Sequence, residues 1–239
     1  MSHAPGEELS GDERRAYVRE MFGRIAPRYD LMNTLMTGGM HYRWRTQAAR
    51  VAATGPPGVA LDIATGTGDF AMALARQPTI TGVVGLDIVP RMLRMARSKS
   101  RGRLGLVVGD ALSLPFPDNA FCCATSGFGL RNMPDVHATL AELARVVQPG
   151  GKVVILEIIP LREGSPLRPL FRPYFHWLVP LAGQLVAGDR RAYTYLPHSV
   201  DRFLTREGVR ELFGCVGLQD TGSRLLAFGT VAIHWGVVV

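Results

Sequence analysis

Four stretches of this 239-residue chain place carboxylates and glycines where apolar runs stop, and those are the residues that could do chemistry. The first is Leu61-Asp62-Ile63-Ala64-Thr65-Gly66-Thr67-Gly68-Asp69. Gly66 and Gly68 carry no Cβ, so backbone there can approach a ligand closely. Gly66-x-Gly68-x-x-Ala71 would also fit a dinucleotide fingerprint. Two aspartates argue against that. Asp62 would face a positively charged amino group and repel a pyrophosphate. Asp69 adds negative charge at a helix start, where a phosphate needs bare N–H groups. The second stretch ends at Asp87, whose carboxylate can accept hydrogen bonds from the ribose hydroxyls of an adenosine-containing cofactor. The third is Gly109-Asp110-Ala111, where a carboxylate and a neighbouring backbone amide can read an adenine edge. The fourth is Gln148-Pro149-Gly150-Gly151, a turn into another strand. Singly, each glycine reads as a tight turn and each aspartate as a cap or solvated end; four in register read as one ligand site.

The elements that must position these groups follow from periodicity. Helical spacing runs from Glu13 to Arg24, from Tyr29 to Met36 and from His41 to Ala53, with breaks at Pro27, Gly38-Gly39 and Gly55-Pro56-Pro57-Gly58. Beyond that break, short apolar runs alternate with helical patterns. Strands are predicted at Val59–Ile63, Val83–Leu86, Leu104–Val108, Phe121–Ser126 and Val153–Leu156, and helices at Phe70–Arg76, Pro90–Ser98 and Val136–Val147. This alternation predicts a doubly wound, mostly parallel α/β sheet with helices on both faces. In such a sheet, ligands sit beyond the C-terminal strand ends. Arg162 to Gly188 differs, being proline-punctuated, aromatic and apolar. A last helix is expected over Arg206–Phe213, and one or two strands over Leu225–Val238.

Hydrophobic residues make up 47% of the chain, enough for a core, and the polar stretch Ser2–Asp12 is expected to be disordered. The expected organisation is a single domain: a helical extension (1–55), a cofactor-binding core (56–160), a lid or substrate segment (161–205) and a C-terminal helix with strands (206–239). Cys122, Cys123 and Cys215 do not make a disulfide framework, and two of them are adjacent in an apolar run. No secretory h-region and no run long enough to span a membrane is visible, so the expected location is cytoplasmic. The isolated His41, His176 and His198 show no metal-ligand spacing, and no metal is expected. The net charge of +7 suits nucleic acid, anionic lipid or an acidic ligand. The arginines are scattered rather than clustered, so no nucleic-acid partner is expected.

Beyond these readings, the chain closely resembles the class I methyltransferases, and within them the ubiquinone/menaquinone biosynthesis C-methyltransferases. The resemblance runs from about Arg19 to the C-terminus. It is carried by Arg28-Tyr29-Asp30-Leu31-Met32-Asn33, by Leu61 to Asp69, by Leu114-Pro115-Phe116-Pro117-Asp118-Asn119-Ala120-Phe121, by Phe128-Gly129-Leu130-Arg131-Asn132 and by Ala192-Tyr193-Thr194-Tyr195-Leu196-Pro197-His198-Ser199-Val200. It implies a seven-stranded sheet and S-adenosyl-L-methionine as cofactor. The implied reaction is methylation of a ring carbon of a polyprenylated quinol such as demethylmenaquinol, the alternative being another small molecule or lipid. Thr67, Asp87, Asp110 and Ala111 match cofactor-binding positions. Asp62, Gly66, Gly68 and Gly127 complete the expected cofactor set. Gly127 stands where some members have serine, and Ala64 where many methyltransferases have glycine.

Carbon is a poor nucleophile unless its ring is electron-rich, so the protein must align the groups, exclude water and lose a proton. Arg131 and Asn132 are the catalytic candidates. Arg131 would stabilise phenolate charge or polarise a water, or else pair with a carboxylate and shape the loop, while Asn132 would orient the hydroxyl. Tyr29, Tyr193 and Tyr195 are the expected substrate residues, and Tyr29 and Asp30 could close over the cofactor. The 162–188 segment reads either as a lid for the prenyl tail, with Arg162, Arg168 and Arg172 on anionic headgroups of a peripheral membrane surface, or as a buried helical layer. A homodimer is left open.

Overall fold

A computed structural model of the chain describes Leu9 and residues 11–162, 164–165 and 167–239. Most of the polar stretch predicted to be disordered lies outside these residues; Gly11 and Asp12 open the first helix.

Three helices precede the sheet: α1 (Gly11–Ile25), α2 (Tyr29–Thr37) and α3 (Met40–Ala52). Gly38 and Gly39, both in the left-handed region, make the turn between α2 and α3. The prolines after α3 end the helical run, and β1 (Gly58–Ile63) enters the core with its last four residues buried. Then follow α4 (Asp69–Leu74), β2 (Ile80–Asp87), α5 (Pro90–Ser100), β3 (Gly105–Val108), β4 (Phe121–Gly127), α6 (Val136–Val146) and β5 (Val147–Ile158). The sheet has seven strands in the order β3-β2-β1-β4-β5-β7-β6. Six strands run in one direction, and β7 (Val231–Val237) alone runs antiparallel, between β5 and β6 (Gln219–Leu226).

Alternation along the strands builds two cores. Leu61, Ile63, Val153 and Ile155 pack with Leu140 of α6 and with Val209 and Phe213 of α10 (Arg206–Cys215). Ala60, Cys123, Val154 and Leu156 pack with Trp44 and Ala48 of α3 and Phe70 of α4. Chain order reverses direction between β1 and β4. The crevice beyond those strand ends is where an open α/β sheet holds a ligand.

A third cluster joins α1 and α2 to the segment between β5 and α10. That segment forms α7 (Arg168–Pro173), a wide turn at Tyr174–Leu178, α8 (Val179–Ala182), a second wide turn at Gly183–Ala187, and α9 (Arg190–Asp201). Pro180 has no N–H to return to the preceding turn, and the helix widens beside it to bonds five residues apart, Val179 N to Tyr174 O. Asp189 caps α9 by accepting from the Ala192 N–H. The sequence reading left α9 without an element; Pro197 lies inside it. Among the described residues, no helix is long and apolar enough to cross a membrane.

Candidate active site

The C-terminal ends of β1, β2, β3 and β4 open on a pocket of about 740 Å³. Asp87 ends β2, and its carboxylate accepts from two backbone amides, Gly66 N at 2.8 Å and Val89 N at 2.8 Å. Burial pushes its pKa up to about 6, against those two donors. Asp110, beyond β3, takes the Leu112 N–H on Oδ1 at 3.0 Å and meets Arg15 of α1 with Oδ2 at 3.1 Å. Ala111 is buried beside it. Gly66 and Gly127 form the near wall with backbone alone. A Cβ on Gly127 would lie 2.7 Å from the Phe70 ring, and Gly66 has φ +56°. Ala64 holds a left-handed conformation at φ 47°, which suits the glycine many methyltransferases carry there. Apolar side chains, Leu86, Val89 and Met92 among them, line the rest.

Three expected cofactor residues lie just outside this pocket. Asp62 is buried beneath the glycine loop, where its carboxylate accepts the hydroxyls of Thr65 at 2.6 Å and Thr125 at 2.7 Å. It therefore faces a small polar cavity rather than an amino group in the main pocket. Burial raises its pKa to about 6. Thr67 turns away to donate to Asp30 Oδ1 at 2.6 Å, in a network where Lys99 bridges Asp30 and Asp69 at 2.7 and 2.6 Å. Asp69 thus neutralises a lysine, and Asp30 ties α2 to the loop. Gly68 is bare for packing: a Cβ there would sit 3.2 Å from Ala96 and from Leu104. The fourth predicted stretch, Gln148 to Gly151, is a correction. It lies in the N-terminal part of β5, where Gly150 N donates to Val238 O and the β4 register jumps from Phe121–Val147 to Cys123–Lys152. A proline–glycine pair reads as a turn in sequence; here it is a bulged strand at the opposite end of the sheet.

A second, more apolar pocket of about 950 Å³ adjoins the first. Phe22, Tyr29, Phe128 and Asn132 line both. Tyr193 and Tyr195, on α9, line the second pocket; both are buried, with hydroxyls that meet no protein partner. Burial first, then Tyr29 and Asp189, raise the Tyr193 pKa, so it stays a neutral phenol. Asn132 donates from Nδ2 to Phe128 O at 3.4 Å, which fixes its amide and leaves its buried Oδ1 unpartnered. Arg131 is buried and paired with Glu157. It also donates to Phe128 O at 2.7 Å and Ser199 Oγ at 3.3 Å. Burial raises the Glu157 pKa, and Arg131 opposes that rise. The loop-shaping role therefore has clear geometric support.

His41 and Arg45 of α3 were not expected near the site. The Arg45 guanidinium can only donate, so His41 Nδ1 accepts and the ring proton sits on Nε2, facing Thr34 Oγ1 at 3.3 Å. Burial, then Arg45, lowers the His41 pKa to about 4. Both ring nitrogens are occupied and the ring is neutral. Glu157 also escaped the sequence reading; a lone carboxylate in the apolar run Val153–Ile159 was its signal. Among the described residues, no group of three or more His, Cys, Asp or Glu is placed to hold a metal ion.

Two carboxylates at adjacent strand ends, an apolar slot and bare backbone at a topological switch point fit an adenosine-containing cofactor without phosphates. Together with the strand order they define a class I methyltransferase. Solved structures agree on the fold: a SAM-dependent methyltransferase from Thermotoga maritima matches with TM-score 0.65 and 19% identity over 92% of this chain and 99% of its own. The [4+2]-cyclase SpnF also matches, at TM-score 0.65 and 20% identity over 89% of this chain and 75% of its own, so the fold alone does not set the reaction. Sequence comparison does set the family. A profile of the ubiE/COQ5 methyltransferase family matches residues 10–238, and the chain belongs to that family. Demethylmenaquinone methyltransferases of Thermus thermophilus (44% identity, 90% of this chain, 99% of theirs) and Deinococcus radiodurans (42%, 92% and 91%) are similar to it. So is the ubiquinone/menaquinone biosynthesis C-methyltransferase of Desulfotalea psychrophila (41%, 92% and 89%). The chain is an enzyme, and its cofactor is S-adenosyl-L-methionine.

Proposed function

We propose that the chain methylates a ring carbon of a polyprenylated quinol, with demethylmenaquinol, the substrate its relatives' names point to, as the leading ring. The observation that carries this reading is the shared wall: an acidic pocket suited to adenosine and an apolar pocket suited to a prenylated ring meet at Tyr29, Phe128 and Asn132.

When bound, the cofactor supplies an electrophilic methyl group on a sulfonium. Asp87 accepts the ribose hydroxyls, and Asp110 with Ala111 reads the adenine. Gly66 and Gly127 let the methionine portion lie against backbone. Asp62, Thr67 and Gly68 hold the loop in shape. Asn132 Oδ1 accepts the hydroxyl next to the carbon to be methylated, and the guanidinium of Arg131 supplies positive potential as that oxygen ionises. Tyr193 and Tyr195 offer hydroxyls from the opposite wall. Among the described residues no carboxylate lines the apolar pocket, and both ring nitrogens of His41 are engaged by the protein. The whole chain acts as one unit: the first three helices cover the pockets and the 161–205 segment completes the apolar one.

The prenyl tail leads toward a surface that suits a membrane. Phe171, Tyr174 and Phe175 face the apolar pocket, while Trp177 and Leu185 on the same segment are 79% and 77% exposed beside exposed Leu178 and Leu181. Arg168 and Arg172 are exposed on the preceding helix, and residues 164–188 contain no acidic side chain. This face fits an anionic bilayer surface. Sedimentation with anionic but not neutral vesicles is expected; a concentration-dependent dimer without vesicle binding would assign the face to a second copy instead.

The test of the reaction is transfer of labelled methyl from S-adenosyl-L-methionine to reduced demethylmenaquinone and to a demethylated ubiquinone precursor, with product mass. Ring-methylated product from either supports the reading and names the head group. Transfer to neither, with the cofactor bound, rejects the substrate class and leaves another small molecule or lipid.

A further inference from the structure

We infer that Asn33 is a head-group recognition residue, whose side-chain amide donates to the ring oxygen remote from the methylated carbon. The inference rests on the quinol reading above and adds a residue that reading does not use.

Five polar side chains lining the apolar pocket are already engaged by the protein. Tyr174 donates to Met36 O at 2.6 Å, Thr37 to Asn33 O at 2.7 Å, Thr230 to Ala227 O at 2.8 Å, and Arg131 and His41 have the partners given above. Asn33 Nδ2 and Asn132 Oδ1 are buried with no protein partner, as are the Tyr193 and Tyr195 hydroxyls of α9; of these four groups, Asn33 Nδ2 is the one amide donor. A buried donor left without a partner is costly, so a donor on a side chain that lines a ligand cavity is best explained by a ligand acceptor.

Position adds a second argument. Tyr29 and Asn33 lie four residues apart on α2, hence on one face, with Asn33 about one turn further along the pocket. Tyr29 and Asn132 mark the junction with the cofactor pocket; Asn33 lines only the apolar one. The two amides are therefore staggered along the pocket. The one at the junction presents an acceptor and the deeper one presents a donor. A hydroquinone has an oxygen on each side of its ring. Its near hydroxyl donates to Asn132, and its remote oxygen offers lone pairs to Asn33.

The test compares two reduced substrates: a short-tailed 2-prenyl-1,4-dihydroxynaphthalene, and 3-prenyl-1-naphthol, which lacks only the remote hydroxyl. Asn33→Ala and the larger Asn33→Leu are assayed with both, cofactor affinity being measured alongside as the check on folding. The expected result is a kcat/KM about tenfold or more below wild type with the dihydroxy ring, mostly through KM, and within twofold of wild type with the naphthol. Equal losses on both substrates, no loss on either, or loss of cofactor affinity in both variants would assign Asn33 to holding α2 and overturn the inference. If wild type methylates neither ring, the quinol reading itself fails and the inference falls with it.

Discussion

The buried Arg131–Glu157 pair lies against the apolar pocket, so substitutions there are expected to act on stability as well as on catalysis. Arg131→Ala leaves a carboxylate buried without its partner, and a loss of about 3–5 kcal/mol in denaturant unfolding is expected. Arg131→Met with Glu157→Met removes both charges and should recover most of it. Turnover by that folded double variant then reports the guanidinium's electrostatic role separately from its structural one. Asn132→Ala removes only an unpartnered acceptor and one weak bond. It should lower kcat about 10- to 100-fold at near-normal cofactor affinity, because an oxygen that orients the reacting hydroxyl acts on the chemical step. That Arg131 and Asn132 line the pocket was legible because they follow a strand end in a distinctive segment, Phe128 to Asn132. Glu157 was legible only as a charge in an apolar strand. Asn33 stood in the Arg28 to Asn33 segment but was given no role, because its lack of a partner is a property of the packed molecule.

Asp87 carries a pH prediction. Its carboxylate is the acceptor form, and burial places its pKa at about 6. Cofactor affinity should therefore fall as pH drops through about 6, and Asp87→Asn should bind weakly with a flat profile; calorimetric titration from pH 5 to 8 checks both. Unfolding does not confound this. An unfolded aspartate titrates near 3.9, so between about 4 and 6 the folded state holds more protons than the unfolded one. The contribution of Asp87 to stability, like that of Asp62, increases as pH falls through that window.

At the scale of elements, α1 covers both pockets. Arg15 meets Asp110, Arg14 donates to Arg131 O at 2.8 Å, and Phe22 lines both cavities. Arg15 and Asp110 are partly exposed, so Arg15→Ala should weaken cofactor binding only a few-fold. Phe22→Ala opens the shared wall and should cost more, about tenfold in kcat/KM by steady-state assay. The helices before β1 and the alternating core were readable because each buries one stripe or one face. Gln148 to Gly151 misled because a local turn signal cannot report that Val147 and Lys152, on either side of it, are both paired with β4 in one bulged strand. The α9 helix was missed because Pro197 and two tyrosines break up its local helical signal, and packing against α1 and the 174–187 turns outweighs them.

The molecule as a whole joins C-terminal strand ends that form the proposed cofactor pocket to a helical layer that ends in exposed Trp177 and Leu185. Trp177→Ser with Leu185→Ser should lower the fraction bound to anionic vesicles several-fold, as read by cosedimentation. Turnover of a short-tailed, water-soluble quinol should be unchanged, since neither residue lines a pocket. The parallel sheet was legible from strand–helix alternation. The exposed apolar face was only half legible, because an apolar, proline-broken segment looks the same in sequence whether it covers a core or faces outward. Here one side does each.

The most direct test of the account is a crystal structure with S-adenosylhomocysteine and a short-tailed reduced demethylmenaquinone. The account predicts the ribose on Asp87, the adenine beside Asp110 and Ala111, and the ring in the apolar pocket with one hydroxyl on Asn132 and the other oxygen on Asn33. A cofactor bound elsewhere, or a ring that leaves the Asn132 oxygen unpartnered, would contradict it.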